Sequence, residues 1–436
     1  MNIAIIGAGW AGMAAAVRVT QAGHIATVFE ASRALGGRAR AVNGKLPDGS
    51  PVTLDNGQHI LIGAYTDTLR LMRLVGVSPE ATLLRLPLTL KFPDGLGMQF
   101  PNWPAPLDAL AGILGARGWS LGDKMSLLRA ATGWQLTGFT CPRSQSVTQL
   151  CHRVSPRVMA GLIEPLCVSA LNTPADRASA EVFLRVMHDS LLGAKGSSNL
   201  LLPRIDLAAL FPQAAANWIE QRGGQVRLAT RVERLYTAAP GGAGERDRWQ
   251  VNGEPFDAVI LATSASNSAA ALSECSSTAT ETVATKISDW VHTTAALRFE
   301  GITTVYAWSP TASLPHPMLT LRSQRGAPAQ FVFDRSQLGG PPGLLAFVVS
   351  ASTDERELVQ AQVLAQAHGQ LGFDLQAVQT IVEKRATFAC TPGLVRPPMH
   401  IAPGLLACGD YVDGPYPATL EGAVRSGLAA AEAATA

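Results

Sequence analysis

Three glycines, one acid and a second pair of glycines followed by arginine carry the first chemistry visible in this chain. Gly7, Gly9 and Gly12 form GxGxxG in "NIAIIGAGWAGMAAAVRVT", and Glu30 closes the apolar run of "VFEASRALGGRAR". A backbone bare of side chains lets phosphate oxygens reach its N–H groups, and an acid about 20 residues further on accepts ribose hydroxyls. Those residue types at that separation point to a dinucleotide. Gly36, Gly37 and Arg38 add a second place where backbone could approach a ligand, with a guanidinium fork suited to phosphate oxygens. A third group, Asp55, Gly57 and His59 in "LDNGQHILIGAY", brings two side chains able to move protons.

These residues need a scaffold, and the local pattern supplies one. Ile3 to Ile6 read as a short buried strand, and the small-residue run from Ala14 to Val19 reads as a helix able to lie close to a sheet. Ala22-Gly23 ends that helix, and "IATVFE" makes the next strand. In this frame Gly7 serves the tight turn, Gly9 the approach of pyrophosphate to the helix N-terminus, and Gly12 the contact between helix and strand. Spacing alone leaves NAD and FAD equally open.

The far end of the chain carries a matching arrangement. In "GLLACGDYVDGPYPATLEGAVRSG" a buried strand ends at Gly409-Asp410, a Pro/Gly/Tyr loop follows, and Thr419 starts a helix with Leu420 and Glu421 in its first turn. Between the two ends, "GGQVRLATRVERLYT" and "RWQVNGEPFDAVILATSA" read as consecutive strands joined by the polar hairpin loop "AAPGGAGERDR". There is no second GxGxxG, so a built-in nicotinamide domain is not indicated and the electron donor is expected to be external.

Taken together, the Glu30 to Arg38 loop and the Gly409 to Leu420 segment resemble the flavin amine oxidase and carotenoid desaturase superfamily. Along the whole chain, with "DNGQH", "EPLCVSALNTPADRASA" and "GPYPATLEGAVRSG", the sequence is most similar to the hydroxysqualene dehydroxylases within it. The resemblance implies a tightly held FAD, with Gly36, Gly37, Arg38 and Asp410 along its diphosphate and ribityl chain. It places Val232 at the adenine, Gly57 at the cofactor, and the backbone of Thr419 and Leu420 at the flavin pyrimidine edge. A helix N-terminus there would favour the anionic reduced flavin. Tyr416 is expected beside the cavity.

The fold implied is α/β, a discontinuous Rossmann-like FAD-binding domain (1–74, 200–274 and 396–436) with a mixed α+β substrate domain (75–199 and 275–395). The implied reaction replaces the allylic hydroxyl of hydroxysqualene by hydrogen, with His59 as the candidate acid and Asp55 second. Two alternatives stay open: a carotenoid-type desaturase or amine oxidase working in the opposite direction, and a prenyl-lipid carrier without flavin chemistry.

Composition narrows the rest. A 436-residue chain with 47% hydrophobic residues can bury more than one core, and a formal net charge of +2 without a Lys/Arg block excludes the footprint of a nucleic-acid binder. Six scattered cysteines without CxxC argue against a metal site or disulfide framework, which suits a cytoplasmic location. The opening residues read as a strand, not as a leader peptide, and no apolar run is long enough to span a membrane. Peripheral contact stays open through "FPNWPAPLDALAGILGARGW", where Trp103 and Trp119 flank Leu107, Leu110, Ile113 and Leu114. Core contacts and a bilayer interface explain that stripe equally well.

Overall fold

The computed structural model describes residues 1–191, 193–238, 248–275 and 281–436. The expected hairpin loop falls largely at 239–247, outside the described residues. Its flanks behave as expected: Leu235–Ala238, Arg248–Val251 and Glu254–Phe256 form a three-stranded antiparallel meander.

The first sheet gathers segments from the two ends and the middle of the chain. Its order is Gln225–Arg227, Ile25–Phe29, Asn2–Ile6, Ala258–Leu261, Leu405–Ala407 and His400–Ala402, parallel except for the last. Ile5 lies between Val28 and Ile260, and Ile260 pairs on its other side with Leu406. Strands covered on both faces need continuous apolar runs, which "IAII", "AVIL" and "LLA" provide. The opening helix Trp10–Gln21 and the C-terminal helix Leu420–Thr435 cover one face together. They approach backbone to backbone: a methyl on Gly427 would stand 2.1 Å from the Ala11 carbonyl oxygen. Only small residues permit that contact, so the alanine-rich composition of both helices has a geometric cause.

The second sheet is antiparallel, ordered Met318–Thr320, Phe331–Asp334, Leu344–Ser350, Phe299–Trp308 and Gln376–Phe388. Strand alternation sorts its faces. Val305, Ala307 and Phe347 meet Val359 and Val363 of the helix Arg356–Leu371, whereas Ile302 and Tyr306 turn the other way, into the large core shared with the first sheet. The hairpin Ala41–Lys45/Pro51–Asp55 delivers Asp55 to that shared side. Among the described residues no helix is long and apolar enough to cross a membrane.

Candidate functional site

The opening strand ends and Gly9 becomes the N-cap of the helix Trp10–Gln21, with no side chain capping it. Its first N–H groups are therefore left for another acceptor. Gly7 and Gly12 are required by contact: a methyl on Gly7 would lie 2.7 Å from the Ala262 carbonyl oxygen, and one on Gly12 2.0 Å from that of Gly7. Gly9 differs, since a methyl there meets no atom within 4 Å. The open side of Gly9 leaves room that a ligand's phosphates could occupy. Beside it, Gly36 donates its N–H to the Ala8 carbonyl at 2.9 Å, so the two glycine motifs run alongside one another. Glu30 accepts from Ala8 N and Ser32 N, each at 2.8 Å, which fixes its carboxylate at the end of the second strand.

The Gly-Gly-Arg loop joins the remaining motifs. Arg38 donates one guanidinium arm to the Asp410 carboxylate and another to the Ala386 carbonyl, so head and tail of the chain meet in an ion pair. The Asp410 carboxylate holds that guanidinium firmly protonated against the cost of burial. Asn56 donates N–H to Arg40 O at 2.8 Å and its side-chain amide to Arg38 O at 3.3 Å, which draws the Asp55 to His59 segment onto the same loop. On the tail side, Gly409 N donates to Ser426 Oγ and Ala418 N to Asp410 O. Thr419 caps the C-terminal helix, its hydroxyl accepting from Gly422 N at 2.9 Å, with half-buried Leu420 following. Val232 is half-buried in an irregular stretch tethered nearby, where Thr230 N donates to Glu30 O.

The two proton-handling candidates have different surroundings. Asp55 is buried, its Oδ1 accepts from Leu207 N at 2.8 Å, and burial pushes its carboxyl up to about 6 despite that bond and nearby Arg335. It thus anchors the short helix Leu207–Leu210. The half-buried His59 lies 2.8 Å through Nδ1 from the Gly57 carbonyl, so Nδ1 carries the proton and Nε2 is the free position. Burial pulls its pKa below the usual value; the Gly57 bond opposes this and the Arg38 cation adds to it. Gly57 lies over the Thr304 hydroxyl, which is buried without a hydrogen-bond partner.

Three participants had no signal in the sequence, and a fourth had one that did not show its role. Tyr306 donates its hydroxyl to the Asp55 carbonyl at 3.0 Å, Arg335 donates to Gln58 Oε1 at 3.1 Å, and Glu383 accepts from Asn56 Nδ2 at 3.4 Å. All three reach the motif from more than 250 residues away, so no spacing could reveal them. Glu421, noted only as a first-turn acid, is fully buried and accepts from Asp67 N, Thr68 N, the Thr68 hydroxyl and Arg425, tying the C-terminal helix to the helix Thr66–Leu74. Tyr416 lies under the Arg425 guanidinium, 4.6 Å from its ring centre.

Proteins of known family and fold resemble this chain along its length. The profile of a family described as flavin containing amine oxidoreductase matches residues 10–435. Proteins named hydroxysqualene dehydroxylase from Sinorhizobium fredii and Zymomonas mobilis are 28% and 27% identical, each over 99% of this chain and 98% of their own length. Among solved structures, an oxidoreductase from Methanosarcina mazei superposes with a TM-score of 0.71 at 16% identity, covering 99% of this chain and 100% of the other, which shows the common fold.

Proposed function

The chain belongs to the flavin containing amine oxidoreductase family and is an FAD-dependent oxidoreductase; from that premise we propose that it reduces hydroxysqualene to squalene. The observation that carries this reading is likeness end to end to proteins named for that reaction. The cofactor-binding part is formed by 1–74, 200–274 and 396–436, and the apolar isoprenoid lies against 75–199 and 275–395. When bound, reduced FAD would supply the hydride that replaces the hydroxyl at the allylic carbon, the hydroxyl leaving with one proton as water.

The chain's own residues do the rest. The bare N–H groups after Gly9, with Gly36, Gly37 and Arg38, hold the diphosphate, Glu30 the ribose, and Thr419 and Leu420 the pyrimidine edge. Val232 takes the adenine and Gly57 lets the cofactor come close. His59 gives the leaving hydroxyl its proton from Nε2: the imidazolium keeps Nδ1–H on the Gly57 carbonyl while presenting the second N–H. A depressed pKa makes that imidazolium a ready donor. Asp55 positions the segment through Leu207 N.

The test is product analysis after reduction in D₂O, where the flavin N5 hydrogen exchanges with solvent. Squalene carrying deuterium at the former carbinol carbon supports the reading. New double bonds in the hydrocarbon would instead assign a desaturase.

A further inference from the structure

The structure separates the two explanations of the Trp103 to Trp119 stripe. The helix Leu107–Gly115 turns Ile113 and Gly112 inward, onto the core and the Phe100 ring, and leaves Leu107, Leu110 and Leu114 outside at 55%, 42% and 53% exposure. Trp103, in the preceding loop, is 54% exposed. The next helix, Leu121–Leu136, adds Leu121 at 81% and Met125 at 44% in its first turns. Lys124 clasps the two helices by donating Nζ to the Leu114 carbonyl at 2.6 Å, so these side chains form one surface. A contiguous apolar patch of this kind on a monomer marks an interaction face.

Charge chooses the partner. From 95 to 163 the sequence holds six cations (Arg117, Lys124, Arg129, Arg143, Arg153, Arg157) against two acids, a larger excess than the whole chain's +2. Both acids are engaged within the protein. Asp108 is buried, and Asp123 accepts from Ser120 and Ser155 and pairs with the Arg157 guanidinium at 3.8 Å, which leaves Arg117 and Lys124 as the rim cations without an acidic partner on this face among the described residues. Arg157 donates to Gly118 O at 3.0 Å, which holds its guanidinium at the end of the leucine stripe beside exposed Arg117. A second copy meeting this face about a two-fold axis would bring these cations against their own counterparts. Leucines below, tryptophan at the border and cations around the rim suit an anionic lipid surface.

We propose that Trp103, Leu107, Leu110, Leu114, Leu121 and Met125, rimmed by Arg117, Lys124 and Arg157, dock this protein on the surface of an anionic phospholipid bilayer. The helix Leu107–Gly115 lies in the plane of the interface, and the chain does not cross it.

Flavin-loaded full-length protein is sedimented with vesicles of phosphatidylcholine alone or mixed with phosphatidylglycerol. Binding to the mixed vesicles is expected, reduced about tenfold or more by Leu110→Glu with Leu114→Glu. Arg117→Gln should lower it about fivefold on anionic vesicles only. Both sites are on the surface, so thermal unfolding should not change. A second readout needs no folded variant of the leucines: brominated lipid chains quench tryptophan emission of the parent, and Trp103→Phe removes the quenched component. Protein left in the supernatant with both vesicle types overturns the proposal, as does parent-like binding by the double variant. A dimer in solution that the double variant converts to monomer assigns the face to self-association and likewise overturns it.

Discussion

Replacing Gly9 by alanine separates the cofactor cradle from the fold more cleanly than any other exchange. At Gly9 φ is −74° and ψ 180°, ordinary extended backbone for alanine, and the new methyl meets nothing within 4 Å. The expected cost in stability is below about 1 kcal/mol, the difference between glycine and alanine at an N-cap. With FAD held as proposed, the same methyl stands where the diphosphate reaches bare N–H groups. Losing one hydrogen bond to a charged group is worth about 1.5–3 kcal/mol, so FAD affinity should fall roughly 10- to 150-fold. Gly12→Ala is the control of opposite kind: its methyl would stand 2.0 Å from the Gly7 carbonyl oxygen, a backbone overlap no rotamer relieves. Its expected cost is about 3 kcal/mol or more, read as lost soluble protein. The assay is titration of apoprotein with FAD by quenching of flavin fluorescence, with thermal unfolding in parallel. A Gly9→Ala protein with parent affinity, or one that fails to fold, refutes the reasoning.

Asp55→Asn should stabilise the protein at pH 8 and leave it unchanged at pH 4. The folded state keeps the Asp55 proton up to about pH 6, whereas the unfolded chain releases it near 3.9, so this contribution to stability is present below about pH 4 and lost as pH rises through 6. Asparagine still accepts from Leu207 N, and the two-unit shift corresponds to roughly 3 kcal/mol, or about 3 °C in a chain this long; equal melting differences at both pH values would contradict it. With His59 as donor and its pKa below the usual 6.5, kcat/KM should fall tenfold per pH unit above 6.5. His59→Gln should flatten that profile and slow the reaction by about 10² to 10⁴. Tyr306→Phe removes the hydroxyl bonded to the buried Asp55 carbonyl and should cost about 1–2 kcal/mol, measured by denaturant unfolding.

What could be read from the chain beforehand was whatever is local. The opening strand, its glycine turn and helix, and the Thr419 cap are set mostly by near neighbours in the chain, and each of these elements stands as expected. The discontinuous first sheet also followed, because two half-motifs of one site must meet and the Arg38–Asp410 pair joins them. Roles set by distant partners could not be inferred. Asp55 was singled out by residue type, and the bond its carboxyl accepts from Leu207, a residue 152 positions away, had no signal in the local sequence. His59 was picked for titrating near neutrality, while the Gly57 carbonyl and burial decide which nitrogen is free and in which direction its pKa moves. Likewise, periodicity in Leu107 to Leu114 could not say which leucines face water; that depends on how the helix is rolled onto Phe100.

The most direct measurement is anaerobic: photoreduced flavoprotein mixed with hydroxysqualene, with flavin absorbance and extracted hydrocarbon followed together. One squalene formed per flavin reoxidised is the expected result. Reoxidation without squalene, or a flavin that stays reduced while the alcohol persists, would contradict the account.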